Sequence, residues 1–206
     1  MISIALLFRL IYSIPEKVEI CTLHLTIAER KFAIRSIYDI SCGNQSWYAR
    51  KQYFSWNDKL LLRGGDDGML ARIQGFFSFF REKHEFRLGD GRVYRFHCEK
   101  IWKGVYLCEG NGESYHLYRH KGRSFSIFLG DQQIAAATKN KIVINKGNRY
   151  EVDFNADADV VLVICMLLTI NSDAEADPDP GVTVTVDLGN IGPEERKFDA
   201  MWRPRD

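Results

Sequence analysis

The run VVLVICMLLTI (160–170), bounded by Asp159 and Asn171, decides how the rest of the chain must be arranged. Wound into a helix it is apolar all the way round, so no face can be left to water. Its rise is about 16 Å, against about 30 Å of bilayer hydrocarbon, so it is too short to span a membrane. It must therefore be buried inside protein. A buried strand is the competing reading, because many of its residues are β-branched; its length and lack of turn signals favour helix. Asp157 or Asp159 is the expected N-cap, a carboxylate at the positive end of the helix dipole.

The sequence before this helix supplies a sheet. Between residues 46 and 154, turn signals recur at GGDDG (64–68), LGDG (88–91), EGNG (109–112), HKG (120–122), LGD (129–131) and NKGN (145–148). Each offers Gly, Asn or Asp where a hairpin needs positive φ. Segments between them, such as RVYRFH (92–97) and RYEVDF (149–154), alternate polar and apolar residues, the period of a half-buried strand. An internal repeat runs through them. FSW (54–56) and FSF (77–79) are 23 residues apart, and the same offset relates Asp67-Gly68 to Asp90-Gly91 and Arg72 to Arg95. FSIFLGD (125–131) echoes the unit more loosely. Repeated two-strand units make an antiparallel meander.

About ten to twelve strands in one sheet must curl or close to hide their edges. A closed barrel with the apolar helix in its bore satisfies both elements. A helix with its side chains is about 10–12 Å across, so the barrel needs many strands. The expected fold is mainly β with one central helix: a closed antiparallel meander barrel of about twelve strands around a buried hydrophobic C-terminal helix.

Three stretches carry a resemblance to a known family: FSWNDKLLLRGGDDG (54–68), ARIQGFFSF (71–79) and YEVDFNADADVVLVICMLLTI (150–170). Residues 47–171 resemble the tubby C-terminal-like superfamily, in its LURP-one-related and phospholipid-scramblase-like branch. The resemblance implies a twelve-stranded barrel around the final helix. Tubby domains bind phosphoinositides and scramblases are associated with lipid movement and calcium, so the resemblance implies an anionic lipid headgroup as a candidate ligand. Asp153, Asn155, Asp157 and Asp159 occupy the place of the acidic segment proposed to bind calcium in scramblases. Here the chain lacks the longer Gly- and Pro-containing loop, and helix capping is the role assigned to them. The membrane-facing extension past the helix is missing too, so scrambling is not carried over.

The chain divides into residues 1–45, an N-terminal extension expected to add one or two strands (17–27 and 31–39); residues 46–171, the barrel with its helix; and residues 172–206, an acidic, partly flexible tail. Within that tail NSDAEADPDPG (171–181) reads as a linker, TVTVDLGN (183–190) as an edge strand, and Trp202 as a docking residue. The five cysteines, at 21, 42, 98, 108 and 165, are odd in number and contain no CxxC pair. Reduced, buried thiols in a cytoplasmic protein fit that pattern. The opening MISIALLF lacks a basic n-region and a clear cleavage site, so no secretory signal is expected.

Composition is globular, with 46% hydrophobic and 27% charged residues over 206 positions, which excludes a wholly disordered chain. The net charge of +1 hides an asymmetry. Residues 72–149 hold 15 basic and 7 acidic side chains, whereas residues 150–206 hold 4 and 13. The barrel is basic and the tail acidic. Alternate turns of a meander share one end, so RHKGR (119–123) and TKNK (138–141) fall together. That end gathers Arg119, His120, Lys121, Arg123, Lys139 and Lys141, a candidate anion patch. Solubilising lysines at hairpin tips are the plainer reading of the same residues, and the acidic tail folding back over this end is another.

Enzymatic signatures are absent. The chain has no P-loop, G-x-S-x-G or HExxH. Cys98, Cys108, His97, His116 and His120 invite a zinc site, but His97 and Cys98 point to opposite faces of one strand, and surface histidines are the expectation. Asp66, Asp67 and Asp90 are explained by turns. The expected function is therefore a non-catalytic binding module that recognises anionic, phosphoinositide-like or phosphorylated ligands through a basic barrel end. The alternatives are a protein-interaction scaffold acting through the acidic tail and, behind it, a scramblase-like lipid-active protein. No cofactor, metal, nucleic acid or transmembrane span is expected. The location read from these features is cytoplasmic, with a peripheral position at a membrane surface if lipid is the partner.

Overall fold

The computed structural model describes residues 23–32, 35–52, 59–76, 83–140, 148–173 and 192–206. These residues form twelve strands: β1 (His24–Phe32), β2 (Arg35–Cys42), β3 (Gln45–Gln52), β4 (Lys59–Arg63), β5 (Met69–Phe76), β6 (Lys83–Leu88), β7 (Val93–Lys100), β8 (Val105–Gly110), β9 (Glu113–Arg119), β10 (Ser124–Leu129), β11 (Gln132–Asn140) and β12 (Arg149–Phe154). Each pairs antiparallel with its neighbours in sequence, and β1 pairs with β12 to close the barrel. At that seam Leu25 lies opposite Val152 and Ile27 opposite Tyr150. The wall thus begins at His24, inside the stretch expected as an N-terminal extension; β1 and β2 are full members of the barrel, and β1 is the closing strand. The aromatic entries FSW (54–56) and FSF (77–79) and the expected strand 183–190 lie outside the described residues.

The helix α1 (Val160–Asp173) follows β12 and doubles back through the bore. Leu162 to Ile170 are all buried, whichever side of the helix they occupy. Inward residues of all twelve strands join them in one core, among them Trp47, Phe86, Tyr94, Phe96, Tyr150 and Phe154. Burial on every side is what a surrounding wall provides. The helix lies closest to β5 and β6. β5 turns Ala71 and Gly75 inward there, leaving room for close approach, and the neighbouring β6 turns Phe86 and Leu88 into the same core.

Helix and strands meet at what we call the inlet end, which also holds the β4–β5, β6–β7 and β8–β9 turns. Asp159 is the N-cap: its carboxylate accepts from the Leu162 backbone N–H at 3.0 Å. It also pairs with Arg92 at 2.7 Å, and Arg92 pairs with Asp90 of its own turn at 2.7 Å. One arginine therefore ties the helix start to the β6–β7 hairpin. Beside it Glu113 accepts from both Tyr94 and Tyr115, each at 2.9 Å. Burial raises the pKa of both phenols, and Glu113 raises them further.

The glycines of LGDG and EGNG divide two tasks. Gly91 and Gly112 take positive φ, and Asn111 at φ 52 completes an Asn-Gly hairpin turn. Gly89 and Gly110 instead abut neighbouring backbone: a Cβ on Gly110 would lie 2.2 Å from the Val93 carbonyl oxygen. The repeat in the sequence is thus a repeated hairpin, with Asp67-Gly68 and Asp90-Gly91 at equivalent turns and Arg72 and Arg95 both exposed on the outer wall.

Asp159→Ala removes both the cap and the Arg92 partner. Its expected effect is a loss of about 1–3 kcal/mol in urea unfolding. Asp159→Asn keeps capping ability and loses less; equal losses for the two variants would show that the cap contributes nothing.

Candidate functional site

The opposite end, the outlet, is where α1 leaves the bore. The β7–β8 and β9–β10 turns lie there, as the meander parity requires. The structure divides the predicted anion patch into three groups. Arg119 and Lys139 point inward at the rim, because they pair with the core residues Phe125 and Tyr150. The Lys139 ammonium lies 5.8 Å over the Tyr150 ring, and the side chain is only 7% exposed. Lys121 and Arg123 stand on the rim outside, with Lys121 exposed. Gly122 and Arg123 both take positive φ, which folds the turn tightly, and the Arg123 carbonyl accepts from the Lys139 N–H at 3.0 Å. Lys141 lies outside the described residues.

His120 departs from the expectation of a surface histidine: it is 1% exposed. Its Nε2 is 2.7 Å from the Ser126 hydroxyl. Ser126 faces outward, between the inward residues Phe125 and Ile127, yet it too is buried. The cover is the C-terminal segment 192–206. Glu194 accepts from the Lys121 backbone N–H at 2.8 Å and lies 3.7 Å from His120 Nδ1. The Phe198 ring packs 5.2 Å from the imidazole. Burial lowers the His120 pKa, against the opposing pull of Glu194 and the Arg196 backbone. The cover thus disfavours the charged imidazolium.

From the rim this segment runs as a strap down the outer wall. Arg196 stacks its guanidinium 4.1 Å from Phe128 and 5.5 Å from Tyr118, whose rings meet edge to face. At the inlet end the Arg205 carbonyl accepts from the Ala156 N–H at 3.0 Å, and the Arg205 N–H donates to Asn155 at 3.0 Å. Two glutamates of the C-terminal segment, Glu194 and Glu195, thus meet the basic end, the contact expected of a tail that folds back.

The second of those glutamates leads to residues that the sequence reading missed. Glu195 bridges Lys100 at 2.6 Å and Lys103 at 2.7 Å, on either side of the β7–β8 turn. That turn, IWKG (101–104), has no Asp or Asn before its glycine, so it does not stand out as a hairpin tip. The parity argument that joins RHKGR to TKNK would have placed it at the same end. Its apolar residues Ile101 and Trp102 are 64% and 85% exposed.

The four residues aligned with a calcium segment do not converge. Asp153 pairs with His24 at 2.7 Å, Asn155 holds the strap, Asp157 is exposed and Asp159 caps the helix. Among the described residues no group of three or more His, Cys, Asp or Glu side chains is placed to hold a metal ion. Burial raises the pKa of Cys108 and Cys165, which makes both poor nucleophiles.

No family model, curated protein or solved structure matches the chain. No helix of the described residues is long and apolar enough to cross a membrane. The outlet rim therefore stands on its own geometry: lysines on two adjacent turns, already holding two carboxylates of the same chain.

The hydrogen bonds from Lys100 and Lys103 pull the Glu195 carboxyl down to about 2. A depressed carboxyl contributes to docking above its unperturbed value of about 4.5, and that contribution is lost as pH falls toward about 2. Carbon-detected NMR of the Glu195 carboxyl should show a midpoint near the lower value. A midpoint near 4.5 would mean that the two ion pairs do not persist in solution.

Proposed function

We propose that the protein is a non-catalytic binding module whose outlet rim recognises anionic groups of the phosphorylated-headgroup class. The observation that carries this reading is the pair of internal ligands. Glu194 and Glu195 hold a backbone N–H and two ammoniums at hydrogen-bond distance, so the rim has the donors and the spacing to bind oxyanions. Lys121, Lys100 and Lys103 come from neighbouring turns, with Arg123 beside Lys121 on the rim and Arg119 turned inward at it. The bore offers no competing site, because α1 fills it. Membership of the tubby C-terminal-like superfamily, on its scramblase-like branch, is part of the same proposal, since that resemblance points to the same ligand class. It brings with it a peripheral position at a membrane surface.

Vesicle flotation tests the reading. The protein should float with phosphatidylcholine vesicles that contain phosphatidylserine and not with phosphatidylcholine alone, and recovery should fall as salt rises. Replacing Lys100, Lys103 and Lys121 together by Ala should weaken binding by about 1 kcal/mol per lysine. Equal recovery on neutral and anionic vesicles at low salt would sink the proposal.

A further inference from the structure

The tip of the β7–β8 turn has a property that anion recognition does not use. Trp102 is the most exposed large apolar side chain among the described residues, and Ile101 beside it is also mostly in water. Packing does not explain them, since neither belongs to the core. The tip is nonetheless tied down by backbone hydrogen bonds. A single 3-10 turn, Ile101–Lys103, ends at Gly104 with φ 61, whose N–H donates to the Ile101 carbonyl at 3.2 Å. The Gly104 carbonyl in turn accepts from the Arg119 N–H at 2.8 Å, which ties the tip to β9. The result is a convex apolar point held between two lysines.

We propose that Ile101 and Trp102 form a wedge that enters the interfacial layer of an anionic bilayer, while Lys100 and Lys103 meet lipid phosphates at its base. The lysine part of this rests on the anion-recognition reading; the wedge does not. Two physical arguments favour lipid over a protein partner. A protein would need a pocket shaped to the tip and a contact area far beyond two side chains, whereas a fluid interface closes around any convex apolar shape. Trp also prefers the headgroup level, where its ring is apolar and its N–H stays wet, and lysine stems reach along apolar surface to put their charge at the same level. Glu195 is the built-in competitor: its one carboxylate occupies both ammoniums that the wedge needs. Membrane engagement exchanges that carboxylate for lipid phosphates.

The test uses the full chain with phosphatidylcholine vesicles, with and without phosphatidylserine, some carrying bromine on the upper acyl chain. Native protein should show a quenchable tryptophan component that Trp102→Ala lacks. Trp102→Ala should bind anionic vesicles more weakly, by on the order of tenfold, with an unchanged melting temperature because the residue is exposed. Glu195→Gln should bind several-fold more tightly. Unchanged vesicle affinity in Trp102→Ala, or native protein whose Trp102 is not quenched, would overturn the wedge. If anionic selectivity survives that result, anion recognition stands without insertion. Equal quenching on neutral and anionic vesicles would keep the wedge and remove anion recognition. Lipid-free, Trp102-dependent self-association in sedimentation, without quenching by vesicles, would assign the tip to a second copy and also overturn the proposal.

Discussion

Enclosure of a helix that has no polar face is the constraint from which the rest of this structure follows. Each of its Val, Leu, Ile and Met side chains contributes about 1.5–3 kcal/mol on burial, and only when apolar atoms surround it on every azimuth. One sheet face cannot do that. A wall of twelve strands closed by the β1–β12 seam can, and its inner face must then be graded in size. Ala71 and Gly75 on β5 let the helix approach, and Phe86, Tyr94, Tyr150 and Phe154 take up the remaining volume. The same constraint removes the bore as a place for ligands. Whatever this barrel recognises must be met at a rim or on the outer wall.

The two rims are built from different interactions. At the inlet, Asp159 is only 16% exposed where it pairs with Arg92, and it also caps the helix; Glu113 joins two buried tyrosines beside it. Such linked, partly buried contacts lose more when one partner is removed than the pair is worth in isolation. At the outlet, the pairs of Glu195 with Lys100 and Lys103 are solvent-exposed, where ion pairs are worth little and salt screens them. The inlet therefore fixes the helix, and the outlet is the end that can change partners without disturbing the core.

The barrel was legible in the sequence because each of its parts obeys a local rule. An eleven-residue apolar run, hairpin glycines and two-residue alternation each have one economical structural solution, and the solutions agree. The seam was less legible. β1 has no turn signal that joins it to β12, and the partners of His24, Glu151 and Asp153, are more than 120 residues away. The candidate site was legible in its charge and blurred in its members. Parity put RHKGR and TKNK at one shared end, but direction along the strand decides what each cation can do. Arg119 and Lys139 turn inward beside Phe125 and Tyr150. His120 is covered by a segment whose docking depends on Glu194, Arg196 and Phe198 together. No periodicity encodes that kind of contact, because the strap has no regular structure to impose one.

The strap's meeting with the basic rim is nonetheless a consequence of the helix. Because α1 enters at the inlet and is enclosed, the chain that follows it must emerge at the outlet, where the lysines are. Two glutamates that follow this helix in the sequence, Glu194 and Glu195, meet that rim as ligands of the same chain. A monovalent carboxylate in free solution would compete poorly against them. A surface that presents many phosphates at once, and that also admits an apolar tip, gains two terms that the strap does not have. The near-neutral total charge of the chain is thus not evidence against an anionic partner. It is the sum of a basic barrel segment and an acidic C-terminal part, two of whose glutamates meet the rim.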